Sequence, residues 1–252
     1  MRTIKIGKLT VELFDSIDEL NVCRFHKYNK MLLVDSGIGS DMVDFDNHVE
    51  RAIRFIKTNA ELATAELDNL RQLVYFIHSG ISPKHLAFCV LVKSVDGDPC
   101  NDLSDDALQN LLKRFADCPN IELTAQLEAV KKKIDDELNL YFPGQFDDAA
   151  VKEYYDTMKR RTILMLDAII TGQNMQNEIE DITTMLITYT KPMSFQGKES
   201  MEISYDKQFE SMCLMLSQHL NVKPKEFTVL EYYNAFEFLK KQLKPQKQKG
   251  PK

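Results

Sequence analysis

His26, His48, His78, His85 and His219 are the side chains best suited to ligate a metal or move a proton near neutral pH. Their spacing supports neither role. No two stand at the i, i+4 interval of an HExxH helix, and no cysteine joins them at metal-ligand spacing. His78 and His85 flank the segment HSGISPKH and could meet in space, but neither a third ligand nor a carboxylate partner is evident beside them. The expectation is scattered structural histidines, with no metal and no cofactor.

Nucleophilic chemistry is no better provided for. The chain has no GxSxG elbow, and Ser82-Pro83-Lys84-His85 misses a Ser-x-x-Lys pair by one position. Cys23, Cys89, Cys100, Cys118 and Cys213 are odd in number, irregularly spaced and without a CxxC pair, so they read as reduced thiols. The acid pairs Asp105-Asp106, Asp135-Asp136 and Asp147-Asp148 are sequence neighbours, so on a helix they point about 100° apart. Near helix starts such acids complement the helix dipole. The segment DSGIGSD (35–41) lacks the Lys-Ser/Thr of a P-loop, and Asp35 and Asp41 would repel a phosphate. It reads as a link in which Gly37 ends one helix and Ser40 or Asp41 caps the next. No residue is assigned a catalytic, cofactor or metal role, and the chain is expected not to be an enzyme.

The elements that would position any site are mainly helical. Ile4, Ile6, Leu9, Val11 and Leu13 alternate around Gly7-Lys8, which predicts a β-hairpin. Ser16 and Glu19 have the spacing of a capping box and predict a helix from there to about Ser36. Met42, Phe45, Val49, Ala52, Ile53 and Ile56 form one helical stripe; Leu62, Leu70, Leu73, Val74 and Ile77 form another beyond a joint near Asn59. The run LAFCVLVKSV followed by Asp96-Gly97 predicts a second small β element near residues 86–100, its start possible as helix. Helices are expected from Ser104 to about Ala116 and over 121–141, and Pro143-Gly144 punctuates the chain most clearly. Beyond it come a long helix on Val151, Tyr154, Tyr155, Met158, Thr162, Met165, Leu166 and Ile169, a shorter one over 174–190, a loop over 191–200, and a stripe from Tyr205 to Leu220. Thr228 and Glu231 form a second capping box, opening a last helix to about Leu243. The fold class is thus mainly α: a multi-helix bundle with an N-terminal hairpin, divided into a β-hairpin plus helical domain (1–142), an all-helical domain (145–243) and a disordered basic tail (244–252).

Composition narrows the partners. Net charge is −6, yet the tail holds four lysines and no acid, which leaves −10 on residues 1–243. Such a body repels nucleic acid except through its tail, and Lys131-Lys132-Lys133 runs directly into Ile134-Asp135-Asp136-Glu137, so it reads as a solvated helix face. The N-terminus gains charge too early for a signal peptide, and no stretch approaches a membrane span, so a cytoplasmic location is expected.

Two features point to protein partners. In the last helix the main stripe is Val229, Tyr232, Tyr233, Phe236, Leu239 and Leu243, and Leu230 and Phe238 widen its apolar arc beyond a core face. Eight of eleven methionines fall between Met158 and Met215. Most, including Met165 and Met212, sit on expected inner stripes, whereas Met193 and Met201 lie in or beside the 191–200 loop and are the better contact residues. Leu230, Phe238, Met193 and Met201 are therefore the candidate partner-binding residues. The segments IKIGKLTVELFDSIDEL, VDGDPCNDLSDDAL and FTVLEYYNAFEFLKKQ resemble those of uncharacterised proteins from the structural-gene regions of tailed bacteriophages. The resemblance transfers no functional residue; it implies a component of head or tail building that contacts other virion or assembly proteins, with a homo-oligomer possible. The alternative is an enzyme or small-ligand-binding protein whose site assembles from scattered residues, around the 78–85 loop or the Gly37–Gly39 turn.

Overall fold

A computed structural model describes residues 2–143, 149–189, 193–198 and 200–243. Ten α-helices and a small antiparallel sheet are present among these residues, a mainly α fold with an N-terminal hairpin. The expected boundary at Pro143-Gly144 leads into residues 144–148 and the expected tail spans 244–252; both segments lie outside the described residues.

The hairpin forms as its alternation requires. β1 (Arg2–Ile6) pairs with β2 (Leu9–Leu13), which places Ile6, Val11 and Leu13 on the buried face. β2 pairs in turn with β3 (Val92–Val95), and Asp96-Gly97 turns the chain into the short β4 (Asp98–Pro99). The helical start of the apolar run is α4 (Pro83–Leu91), which passes directly into β3. Ala87, Phe88, Cys89, Val90 and Leu91 are all essentially inaccessible, so α4 is apolar all round because it lies at the centre of the core. Around it pack α1 (Val22–Ile38), α5 (Asp105–Arg114) and α6 (Asn120–Tyr141). Lys131, Lys132 and Lys133 lie on the exposed side of α6, opposite its stripe of Leu123, Leu127, Val130, Ile134 and Leu138.

A passage from helix to strand inside the core leaves carbonyls without partners, and Arg24 on α1 supplies them. Its Nη1 donates to the carbonyls of Val90 and Val92 at 2.6 and 3.0 Å, and its Nη2 donates to that of Cys100 at 2.7 Å. The guanidinium also lies 5.1 Å from the centre of the Phe14 ring. Burial lowers the pKa of this group from its ordinary value, but three carbonyl oxygens and an aromatic face replace the lost water.

Helix α1 differs from expectation at both ends. Ser16 does not cap it: the Ser16 hydroxyl and the Ile17 amide both donate to Glu137 on α6, at 2.8 and 2.9 Å. The backbone from Ile17 to Val22 pairs instead with the start of the last helix. Val22 N donates to Phe227 O, Val229 N to Leu20 O and Leu230 N to Ile17 O. The helix therefore waits until Asn21, whose side chain accepts from Cys23 N. At the other end it runs through Gly37 to Ile38 and closes at Gly39, whose φ of 79° suits glycine. Gly37 has another reason to be glycine. A Cβ there would fall on the ring of Phe195, which is buried against this turn with Val34, Ile38 and Leu73. Helix propensity alone would make Gly37→Ala stabilising by about 0.5–1 kcal/mol. The clash reverses the sign, with an expected loss of about 1–3 kcal/mol and faster proteolysis within residues 193–198; a raised Tm would refute this packing.

The remaining helices are α2 (Met42–Ile56), α3 (Ala60–Ser79), α7 (Ala149–Thr171), α8 (Gln176–Tyr189), α9 (Met201–Leu220) and α10 (Val229–Leu243). Asp41 caps α2 through a reciprocal box with Asp44, Asn59 caps α3, and Thr228 and Glu231 form the box expected at α10. α10 returns to the front of the chain, with Val229 in the cluster that also holds Ile6 and Phe88 and with Tyr233 5.5 Å from the Phe142 ring.

Candidate functional site

The four candidate contact residues occupy different surroundings. Leu230 is half-buried against the central core, Met193 and Met201 are half-buried around Val34, Ile38, Leu73 and Phe195, and Phe238 is 53% exposed on α10. They do not form one patch: Leu230 belongs to one apolar cluster and Met193 with Met201 to another. Of the two histidines flanking the 78–85 segment, His78 is exposed, whereas His85 is buried and bonds to the Thr124 hydroxyl at 3.3 Å.

A larger apolar surface lies on α7. Gly172, at φ 67°, turns the chain so that α8 packs back against α7. Tyr154, Thr157, Arg161, Leu164 and Ala168 are half-buried. The opposite arc carries Tyr155, Met158, Ile163, Met165, Leu166, Ile169 and Ile170, all exposed, Ile169 and Ile170 to 78% and 80%. At 100° per residue these side chains cover an arc of about 160°, and Tyr155 to Ile170 spans about 22 Å. Met165, expected on an inner stripe, is thus on the outer one. The amphipathic pattern is real, but most of its apolar side faces away from the other described residues; Met158, at its edge, also borders the space between α7 and α2.

Helix α2 keeps part of its expected stripe inward, with Ala52 buried and Phe45 packed against Val34, Ile38, Leu73 and Phe195, but its buried side is shifted to include His48 and Phe55, and Met42, Ile53 and Ile56 are exposed. His48 is 2% exposed and faces Glu66 of α3, which is fully buried. His48 Nε2 lies 2.9 Å from the Ile38 carbonyl, which can only accept, so that nitrogen carries hydrogen. His48 Nδ1 lies 2.5 Å from Glu66 Oε2, and two lone pairs cannot face each other so closely, so one proton lies between them. Arg51, one turn along α2, places Nε 3.1 Å from Glu66 Oε1 without the alignment of a hydrogen bond, so that contact is coulombic. Neutral in sum, the His48–Glu66 pair leaves the cluster with the single positive charge of Arg51.

Sequence reading missed this cluster, although a signal existed: Ala63, Glu66, Asn69 and Leu73 follow one inward stripe of α3, and two of the four are polar. Elsewhere, Asp206 accepts from His26 and Lys30 at 2.8 and 2.7 Å. Burial raises its pKa, but these two donors outweigh it and hold the carboxyl below its ordinary range. The rings of Tyr205 and Phe209 stack on His26.

All five cysteines are free thiols. Burial pushes each upward, Cys213 to about 11, so none is a ready thiolate at neutral pH. Among the described residues no group of three or more His, Cys, Asp or Glu could hold a metal ion, and no helix is long and apolar enough to cross a membrane. No family model, curated protein or solved structure matches the chain.

Proposed function

We propose that this protein works by binding another protein through the exposed face of α7, as an interaction or assembly component rather than an enzyme. One observation carries the reading: seven large apolar side chains of a 23-residue helix are exposed on one continuous arc. Single exposed apolar residues are ordinary, but a stripe of them on one helix marks a surface that a partner covers. The shape suits a partner that lays an amphipathic helix along α7. A strip about 22 Å long and about 10 Å wide falls short of the about 800 Å² per side of a stable interface. The partner therefore extends onto α8, where Met185 is 55% exposed. The phage-like sequence segments suggest the setting, in which the partner is a virion or assembly protein or another copy of the chain.

The test uses a photo-crosslinking side chain at Ile169, with Glu128 on α6 as an exposed control, in the cells or particles that make the protein. A defined crosslinked protein at Ile169 and not at Glu128 is expected. Equal or absent crosslinking at both sites would overturn the reading. The double variant Leu166→Glu/Ile170→Glu is expected to abolish the crosslink and to change stability by less than about 1 kcal/mol, because both side chains are already in water. A large loss of stability would mean that these residues pack internally.

A further inference from the structure

Between α2 and the α7–α8 hairpin lies a cavity of about 360 Å³, the size of a small-ligand site. We propose that it binds a small organic monocarboxylate, with the carboxylate held by Arg51 and Arg161 and the apolar body resting on Ile38, Met158 and Leu186. All five residues line the cavity. The Nε–H of Arg161 is buried without a hydrogen-bond acceptor among the described residues; that of Arg51 is buried too and makes no aligned hydrogen bond, its nearest anion being Glu66 Oε1 at 3.1 Å. A buried guanidinium donor without an acceptor is costly, and the guanidinium fork matches the paired oxygens of a carboxylate.

Charge selects a monoanion. Arg51 and Arg161 supply two positive charges, because His48 and Glu66 share their proton and are neutral as a pair. Asp44 and Glu50 also line the cavity. Asp44 keeps its negative charge while its Oδ2 accepts from the amides of Ser40 and Asp41 at 2.8 and 3.3 Å, and Glu50 is exposed, where water screens it. A dianionic phosphate would bring two charges towards these carboxylates, whereas a monocarboxylate brings one and gives the apolar lining something to cover. The expectation that a ligand site, if present, lies near the Gly37–Gly39 turn accords with this position, since Ser36, Ile38 and Gly39 line the cavity.

The proposal does not rest on the docking role of α7. Arg161 lies on the half-buried arc of that helix, so the Leu166→Glu/Ile170→Glu variant is expected to bind carboxylate as the parent does. The full chain is titrated with sodium benzoate and with sodium hexanoate, with benzamide as the neutral isostere of benzoate and inorganic phosphate as the dianion. Heat is followed by calorimetry, and arginine Nε–H resonances by NMR. Saturable binding of at least one monocarboxylate is expected, with two Nε–H resonances displaced, benzamide at least about tenfold weaker than benzoate, and phosphate unable to compete. Arg161→Gln is expected to weaken binding about tenfold or more, and Arg161→Lys less. No saturable binding of either acid up to about 10 mM, benzamide binding as tightly as benzoate, or preference for phosphate would each overturn the proposal. So would a folded Arg161→Gln variant with undiminished affinity. Should that variant fail to fold, the resonances of the unaltered chain decide.

Discussion

Glu66→Ala is expected to cost about 3–5 kcal/mol, a fall in Tm on the order of 10 °C for a chain of this size. The carboxylate is fully buried, between His48 Nδ1 at 2.5 Å and Arg51 Nε at 3.1 Å. Its removal leaves a guanidinium without its counter-charge and a hole where the side chain stood. Two relaxations limit the damage. Arg51 is 28% exposed and can turn towards water, and its Nη2, 3.1 Å from His48 Nδ1, can donate to that nitrogen once the shared proton is gone. His48→Ala is relieved less, because Glu66 keeps its burial and loses its closest partner, with only the Arg51 contact at 3.1 Å left to it. Chemical denaturation of both variants and of the double variant checks the argument. The double variant is expected to lose less than the two single losses added together, since neither residue is then left alone. Additive losses, or single losses below about 1 kcal/mol, would show that the cluster is not a coupled unit.

Arg24→Leu is the second large expected effect. The leucine retains apolar contact, but the carbonyls of Val90, Val92 and Cys100 lose their donors. A buried acceptor left unsatisfied costs about 1–3 kcal/mol. The bonds to Val90 and Val92 are buried and that to Cys100 is partly open, so about 4 kcal/mol in total is expected. Arg24→Lys is expected to recover less than half, because an ammonium has no planar fork to reach three carbonyls on two segments. Equilibrium denaturation ranks the three proteins, and a lysine variant as stable as the parent would refute the fork argument. Hydrogen exchange at Val92 and Ser94 is expected to quicken in Arg24→Leu, because the junction between α4 and β3 loosens first.

Where local chemistry was the deciding force, the sequence was readable. The alternation around Gly7-Lys8, the cap at Ser104 and the Thr228–Glu231 box depend on neighbours in the chain, and each forms as expected. The Ser16–Glu19 box fails because Glu137, far along the chain, occupies the Ser16 hydroxyl, and because the following backbone is needed by residues 227–230. The stripe of α2 was half readable. Of Met42, Phe45, Val49, Ala52, Ile53 and Ile56, Ala52 is buried and Phe45 packs inward, whereas Met42, Ile53 and Ile56 are exposed and the buried side takes in His48, which faces a buried glutamate on another helix. Met165 shows the limit most clearly: spacing reveals that a helix is amphipathic, not whether its apolar side meets the protein's own core or a partner's. The Gly37–Gly39 turn, which with the 78–85 loop was one of two places expected for a ligand site, borders the cavity, but the cavity itself was not legible, because Arg51 and Arg161 are separated by more than a hundred residues.

The backbone bonds that tie Ile17, Leu20 and Val22 to Phe227, Val229 and Leu230 also impose an order on the protein's manufacture. A ribosome delivers the hairpin and α1 well before α10, yet Val229, with no exposed surface in the finished core, belongs to α10. Until α10 emerges the growing chain holds an open seam beside α1, and residues 17–22 wait for a partner made long after them.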